Sequence, residues 1–135
     1  MSDTPEFRRG DVLLVALPFI TDAVQAKHRP TVVIQNDIGN QFSPNLIVAY
    51  VTSRVPHRRY PTDYRIPVGS CEGRSAGLDR TAVVKTDTIF TVPKRDVVKR
   101  LGHLPRTAMD RVDECLRASL GLEEPQIRPD AGDPA

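Results

Sequence analysis

At 135 residues, with 39% apolar and 27% charged side chains, the chain is sized for one compact domain and is too short for two. No apolar run approaches the roughly 18 to 20 residues of a membrane span, and the N-terminal MSDTPEFRRGD has no apolar signal segment, so a cytoplasmic protein is expected. Two cysteines, Cys71 and Cys115, and three scattered histidines, His28, His57 and His103, give neither a disulfide framework nor metal-ligand spacing, and chemistry without a metal or cofactor is expected.

Net charge is +2, but it is unevenly spread. Residues 122–135, LEEPQIRPDAGDPA, hold four acids and one arginine, which leaves 18 basic and 13 acidic groups, a net of +5, on the first 121 residues. A basic body steers polyanions towards it, although an ordinary solvated surface has the same composition.

In chain order, DVLLVALPF opens with branched apolar residues and meets Pro18, which cannot donate a ladder hydrogen bond, so a first strand is expected at about 11–17. After a polar segment, PTVVIQN begins a second strand at Pro30, a position that tolerates proline. DIGNQFSPN is a run of turn formers, and NLIVAYVTS is a near-continuous apolar strand of the kind buried on both faces. Residues 54–63, RVPHRRYPTD, have loop composition with unusual charge. A short strand YRIPV, a flexible segment GSCEGRSAG, a long strand within DRTAVVKTDTIFTV, and a last strand within 97–104 follow.

PRTAMDRVDECLRASLG has the marks of an amphipathic helix over 106–120. Met109, Val112 and Leu116 share a face, Thr107 with Asp110 resembles a capping box, and Gly121 is a natural stop. The expected organisation is one domain over 1–121 and a disordered, acidic, proline-rich tail over 122–135. The fold expected is mainly β, a small barrel or half-barrel with a C-terminal helix.

Strand alternation places Thr81, Val83, Lys85 and Asp87 on one face of TAVVKTD. A hydroxyl, an ammonium and a carboxylate can serve acid–base chemistry there, or simply form a solvated edge with a weak surface ion pair. Arg29, before the second strand, offers a fork of donors for phosphate or carboxylate. His28 beside it, and Thr52 and Ser53 at the end of the third strand, fit either a site or local backbone satisfaction. Arg58, Arg59 and Tyr60 combine charge with a stacking surface suited to single-stranded RNA, and equally describe a solvated loop. Asn36, with donor and acceptor, is a candidate for reading a base edge.

Together and in order, RRGDV at 8–12, HRPTVVIQND at 28–37, VAYVTS at 48–53, GLDRTAVVKTD at 77–87 and the LG closing the helix resemble the MazF/PemK (Kid-like) family of toxin endoribonucleases from type II toxin–antitoxin systems. The resemblance covers roughly residues 8–121. It implies a CcdB/PemK-like, SH3-like barrel with a terminal helix, assembled as a homodimer whose groove binds single-stranded RNA and which an acidic antitoxin segment occupies. It implies metal-independent, sequence-specific RNA cleavage by attack of a ribose 2′-hydroxyl, leaving 2′,3′-cyclic phosphate and 5′-hydroxyl ends. By motif position it implies catalytic or positioning roles for Arg29, Thr52, Lys85 and Asp87, and RNA contacts for Asp11, Ser53 and Thr81.

Three departures from the pattern matter. Lys85 stands where many relatives carry arginine, His28 stands where a small or neutral residue is common, and TDAVQAK holds no counterpart of the Kid-like histidine. The related CcdB branch inhibits DNA gyrase on the same fold through an aromatic residue at its C-terminus, which SLGLEEPQIRPDAGDPA lacks. An RNA-binding module without cleavage activity is the remaining alternative.

Overall fold

A computed structural model of the chain describes residues 6–17 and 28–123. The acidic tail beyond Glu123 and the segment TDAVQAK lie outside them. Six strands form a single sheet: β1 (Asp11–Ala16), β2 (His28–Val33), β3 (Asn45–Thr52), β4 (Asp63–Ile66), β5 (Ala82–Pro93) and β6 (Val97–His103). Their order across the sheet is β4-β5-β3-β2-β1-β6, with every neighbouring pair antiparallel. Among the described residues three α-helices accompany them, α1 (Asp37–Phe42), α2 (Cys71–Ser75) and α3 (Arg106–Ser119), with a short 3-10 turn at Lys94–Asp96 between β5 and β6.

Strand alternation divides the apolar side chains into two cores. Val12, Val32, Ala49, Val51 and Val84 pack with Ala108, Met109, Val112 and Leu116 of α3. Leu13, Val15, Val33, Leu46, Val48 and Val92 form the second core on the opposite face with Phe7 and Leu17. Residues such as Val12 and Leu13 are adjacent in sequence and wholly buried on different sides, which is why β1 and β3 read as continuous apolar runs.

The mainly β architecture with a C-terminal helix is as expected, but several local readings need correction. Strand β2 begins at His28 rather than Pro30, because it pairs with β1 through Ala16↔His28. Towards β3 the ladder starts only at Thr31, the residue after the proline. The turn-rich DIGNQFSPN contains α1, whose N-cap Asn36 accepts from Gly39 N at 2.7 Å. GSCEGRSAG contains α2, capped by Ser70 through Gly73 N at 3.1 Å. In both, residues that favour turns are serving as helix caps. At α3 the Thr107–Asp110 box does not form: Pro105 is the N-cap and makes no side-chain cap bond. Gly121 does end the helix, with φ +73° and its successor Leu122 donating to Arg117 O at 2.8 Å.

The sheet's two edges, β4 and β6, do not pair with each other. The segment after β4 bridges them instead: Ser75 Oγ donates to His103 O at 2.6 Å. Gly77 (φ +73°) and Gly102 allow the two backbones to touch, since a Cβ on Gly77 would overlap Leu101 O and one on Gly102 would overlap Ser75 O. The segment expected to be a flexible loop is therefore the clasp of a half-barrel.

Arg9 secures the other end. Its backbone N–H donates to Asp37 at 2.8 Å, its Nε to Ile34 O at 2.9 Å, and its guanidinium to Asp113 of α3 at 2.7 Å. No helix among the described residues is long and apolar enough to cross a membrane.

Gly77→Ala is expected to destabilise the fold by about 3 kcal/mol or more, combining a strained φ with backbone overlap. Denaturant unfolding checks this; a loss under about 1 kcal/mol would mean that the clasp yields without cost.

Candidate active site

The site is built on a row that crosses the sheet. Asp63 of β4 lies opposite Lys85 of β5, Lys85 opposite Tyr50 of β3, Tyr50 opposite Thr31 of β2, and Thr31 opposite Leu13 of β1. Directly opposed residues share a face, and Leu13 and Tyr50 assign this row to the face of the second core. Moving two residues along each strand keeps the face. Arg65, Val83 and Thr52 form the next row, and Arg29, two residues before Thr31 in β2 and opposite Val15 of β1, lies on the same face. Arg29, Thr52 and Lys85, three of the four candidates for the chemistry, thus share one face, on β2, β3 and β5.

The fourth, Asp87, arrives by an irregularity. Strands β3 and β5 pair as Ala49↔Ile89 and then as Tyr50↔Lys85, so Thr86, Asp87 and Thr88 have no partner in β3. Thr86 anchors the bulge: its N–H and hydroxyl both donate to Thr62 O, at 3.1 and 2.7 Å, and its carbonyl accepts from Ser119 Oγ at 2.8 Å. Asp87 is pushed outwards, its side chain 49% exposed and its Oδ1 3.8 Å from Lys85 Nζ.

Lys85 also meets a residue that sequence reasoning missed. Its Nζ donates to Asp63 Oδ1 at 3.0 Å, and the Asp63 side chain is only 6% exposed. The ammonium therefore stands between a buried carboxylate and an exposed one. Asp63 had been placed in a charged loop, because only the β4–β5 register reveals its neighbour. Tyr50 was also missed; it packs edge-to-face on Phe90 at 6.3 Å and forms the floor of the row. Its alternation with Thr52 along β3 was the available signal.

The loop between β3 and β4 is tethered beside this site. Arg65 donates to Pro56 O at 3.1 Å and Asp63 N to Tyr60 O at 3.0 Å, while Thr52 Oγ1 accepts from Arg54 N at 3.1 Å at the loop's start. Ser53, Arg58, Arg59 and Tyr60 are exposed, as surface contacts must be.

The other candidates are not gathered here. Asp11 is buried and structural: it accepts from Arg8 N at 2.9 Å, from Arg100 at 2.8 and 3.1 Å, and lies 2.8 Å from His103 Nδ1. It locks β1 to β6 at the far edge of the sheet. His28 is exposed, and alternation turns it to the face opposite Arg29. Asn36 has its oxygen engaged as the α1 cap, and Thr81 Oγ1 accepts from Val68 N at 3.0 Å, fixing the turn after β4.

The helical face has a different electrostatic character. Burial pushes the Cys115 thiol up to about 11, with Arg111 pulling the other way. Burial likewise raises Tyr64, with Glu72 adding to the effect. Both groups stay neutral near pH 7.

Comparison with known proteins identifies the family and the fold. The family model of the PemK-like, MazF-like toxin of type II toxin-antitoxin systems matches residues 8–120. The chain is 37% identical over 115 residues to endoribonuclease EndoA of Bacillus subtilis, covering 85% of this chain and 95% of that one. Among solved structures, the Mycobacterium tuberculosis toxin MazF-mt6 superposes with a TM-score of 0.67 at 19% identity, over 84% of this chain and 98% of that one. MazF from Deinococcus radiodurans gives 0.65 at 21% identity, over 89% and 99%. These two structural likenesses speak to the fold alone.

Asp11→Ala is expected to cost about 3 kcal/mol in denaturant unfolding, because Arg100 and His103 lose their shared acceptor and Arg8 N its cap. Stability unchanged within about 0.5 kcal/mol would remove Asp11 from the framework and return it to the substrate candidates.

Proposed function

The chain belongs to the PemK-like, MazF-like toxins of type II toxin-antitoxin systems, and from that premise we propose that it is a sequence-specific endoribonuclease acting on single-stranded RNA in the cytoplasm without a metal ion. What supports the reading is the Lys85–Asp87 pair, 3.8 Å apart at the irregularity of β5, with Thr52 of β3 and Arg29 of β2 on the sheet face that Lys85 shares. These side chains supply what internal phosphoryl transfer needs. An exposed carboxylate, Asp87, takes the proton of a ribose 2′-hydroxyl as its oxygen bonds to the adjacent phosphorus. Arg29 and Lys85 donate to the phosphoryl oxygens, where negative charge accumulates. The bond from phosphorus to the 5′ oxygen breaks, that oxygen takes up a proton from the cationic side of the site, and the products are a 2′,3′-cyclic phosphate and a 5′-hydroxyl. Thr52 adds a hydroxyl on the same sheet face, and Ser53, Arg58, Arg59 and Tyr60 give the strand a charged, stacking surface along the neighbouring loop.

The B. subtilis relative is called an endoribonuclease, and one mycobacterial structure of this fold is of an endoribonuclease in complex with its cognate antitoxin. On this reading the chain's own antitoxin presents an extended acidic segment to the same basic surface. A second copy of the chain covers α1, where Ile38 and Phe42 are 75% and 76% exposed beside Ile47 of β3. Such a patch is costly to leave in water.

Mixed-sequence RNA incubated with the protein in EDTA is expected to give a restricted set of cuts, each lost when the nucleotide 5′ to the scissile phosphate carries a 2′-deoxyribose. Arg29→Ala should slow cleavage by about a hundredfold or more. Cleavage that appears only with added metal defeats the mechanism, and RNA binding without cleavage favours the inactive binding module. Light scattering at micromolar concentration should give twice the 15.0 kDa chain mass, and Phe42→Asp should halve it; a wild-type monomer removes the dimer.

A further inference from the structure

We infer that Asp63 is a positioning residue for Lys85, holding the ammonium at the sheet face so that it meets the substrate phosphate while Asp87 stays available as the proton acceptor. This rests on the endoribonuclease reading above and assigns a residue that the family motifs do not single out. Lysine is a compact charge on a flexible four-carbon stem, without the rigid fork of arginine, and a flexible cation makes a poorly aimed phosphate donor. In this chain the aim comes from outside the lysine. Asp63 faces Lys85 across the β4–β5 ladder and takes one of its N–H groups at 3.0 Å.

Two features separate this from an ordinary stabilising ion pair. The Asp63 side chain is 6% exposed, and its second oxygen, Oδ2, is buried without a hydrogen-bond partner. A buried carboxylate satisfied on one side only is a poor way to stabilise a fold, because desolvation of the unsatisfied oxygen offsets much of the attraction. It is a good way to fix where a partner's charge sits. Asp87, at 3.8 Å and half exposed, competes weakly for the same ammonium. With Lys85 drawn to Asp63, the exposed carboxylate, whose Oδ1 accepts a long bond from Thr88 Oγ1 at 3.4 Å, keeps Oδ2 for the ribose hydroxyl. Asp63 is itself fixed by its N–H bond to Tyr60 O and by the pairing of β4 with β5. Its arrangement therefore joins the β3–β4 loop, which carries the exposed arginines, to the reacting centre.

The test is a double-mutant cycle of Asp63→Asn, Lys85→Met and the double variant, read as single-turnover cleavage of a short RNA spanning one mapped cut, with RNA affinity measured in parallel. Asp63→Asn should slow cleavage on the order of 10- to 100-fold while leaving RNA affinity within about threefold. In the Lys85→Met background it should change the rate by less than about threefold, since the residue it positions is gone. In the wild-type protein, ¹⁵N-detected NMR of the lysine ammonium groups should show Lys85 protected from proton exchange, a measurement that stands if Asp63→Asn fails to fold. Wild-type rate in Asp63→Asn, losses that multiply in the double variant, or a Lys85 ammonium exchanging like a free lysine each overturn the inference and leave the endoribonuclease reading standing. A wild-type protein that cleaves no RNA overturns both.

Discussion

The register shift between Ala49 and Tyr50 is the constraint on which the site depends. Had the β3–β5 pairing run straight on from Ala49↔Ile89, Tyr50 would face Thr88, and Lys85 would fall opposite Ser53, beyond the end of β3. The row that joins Asp63, Lys85, Tyr50 and Thr31 would not exist. Extra residues in a strand cost ladder hydrogen bonds, so something must hold them. Thr86 does this from both sides, bonding to Thr62 at the end of the loop and to Ser119 at the end of α3. The C-terminal helix therefore has two roles: its apolar stripe covers one face of the sheet, and its last turn fixes the irregularity that shapes the other.

That division organises the electrostatics. On the helical face burial holds Tyr64 and Cys115 neutral, and the sheet is closed to solvent by α3. On the opposite face the central strands bury Leu13, Val33 and Val48, while the candidate groups sit at strand ends, Arg29 near the start of β2 and Thr52 at the end of β3, or at the irregularity within β5, Lys85 and Asp87. Charges at strand ends keep their heads in water while their backbones remain in the ladder, which a reactive group at a rigid position requires. Asp11 is the contrasting case. A carboxylate equally near a strand start, at the other edge of the sheet, is enclosed by Arg100, His103 and Arg8 N and serves to bind β6 to β1.

How much of this was legible in the sequence follows from how local each feature is. The apolar runs of β1, β3 and β5, the stripe of Met109, Val112 and Leu116, and the stop at Gly121 are local signals, and all fell where expected. Alternation alone put Lys85 on the face of Val83 and Thr81. The short helices α1 and α2 were read as loops because their caps, Asn36 and Ser70, are also turn formers, and a helix of five or six residues has too little periodicity to outweigh them. Asp63 was hidden for another reason: its partner is 22 residues away, and which residues meet across a ladder depends on a bulge that composition does not announce. The partners of Asp11 were hidden likewise, since Arg100 and His103 lie 89 and 92 residues further on.

The lysine at position 85 and the carboxylate at position 63 are best understood as one choice. An arginine at 85 could offer two parallel N–H groups to both oxygens of Asp63, the bidentate match that guanidinium and carboxylate prefer. That arrangement would satisfy Oδ2, which is now buried without a partner, but it would also turn the planar fork inwards, away from any substrate. Lysine binds one oxygen and, with three donors around a tetrahedral nitrogen, keeps the others for groups outside. A carboxylate left half satisfied in the wall of the sheet is then the structural counterpart of a cation left partly unsatisfied at its surface. The first costs the fold some stability; the second is what an incoming phosphate would complete.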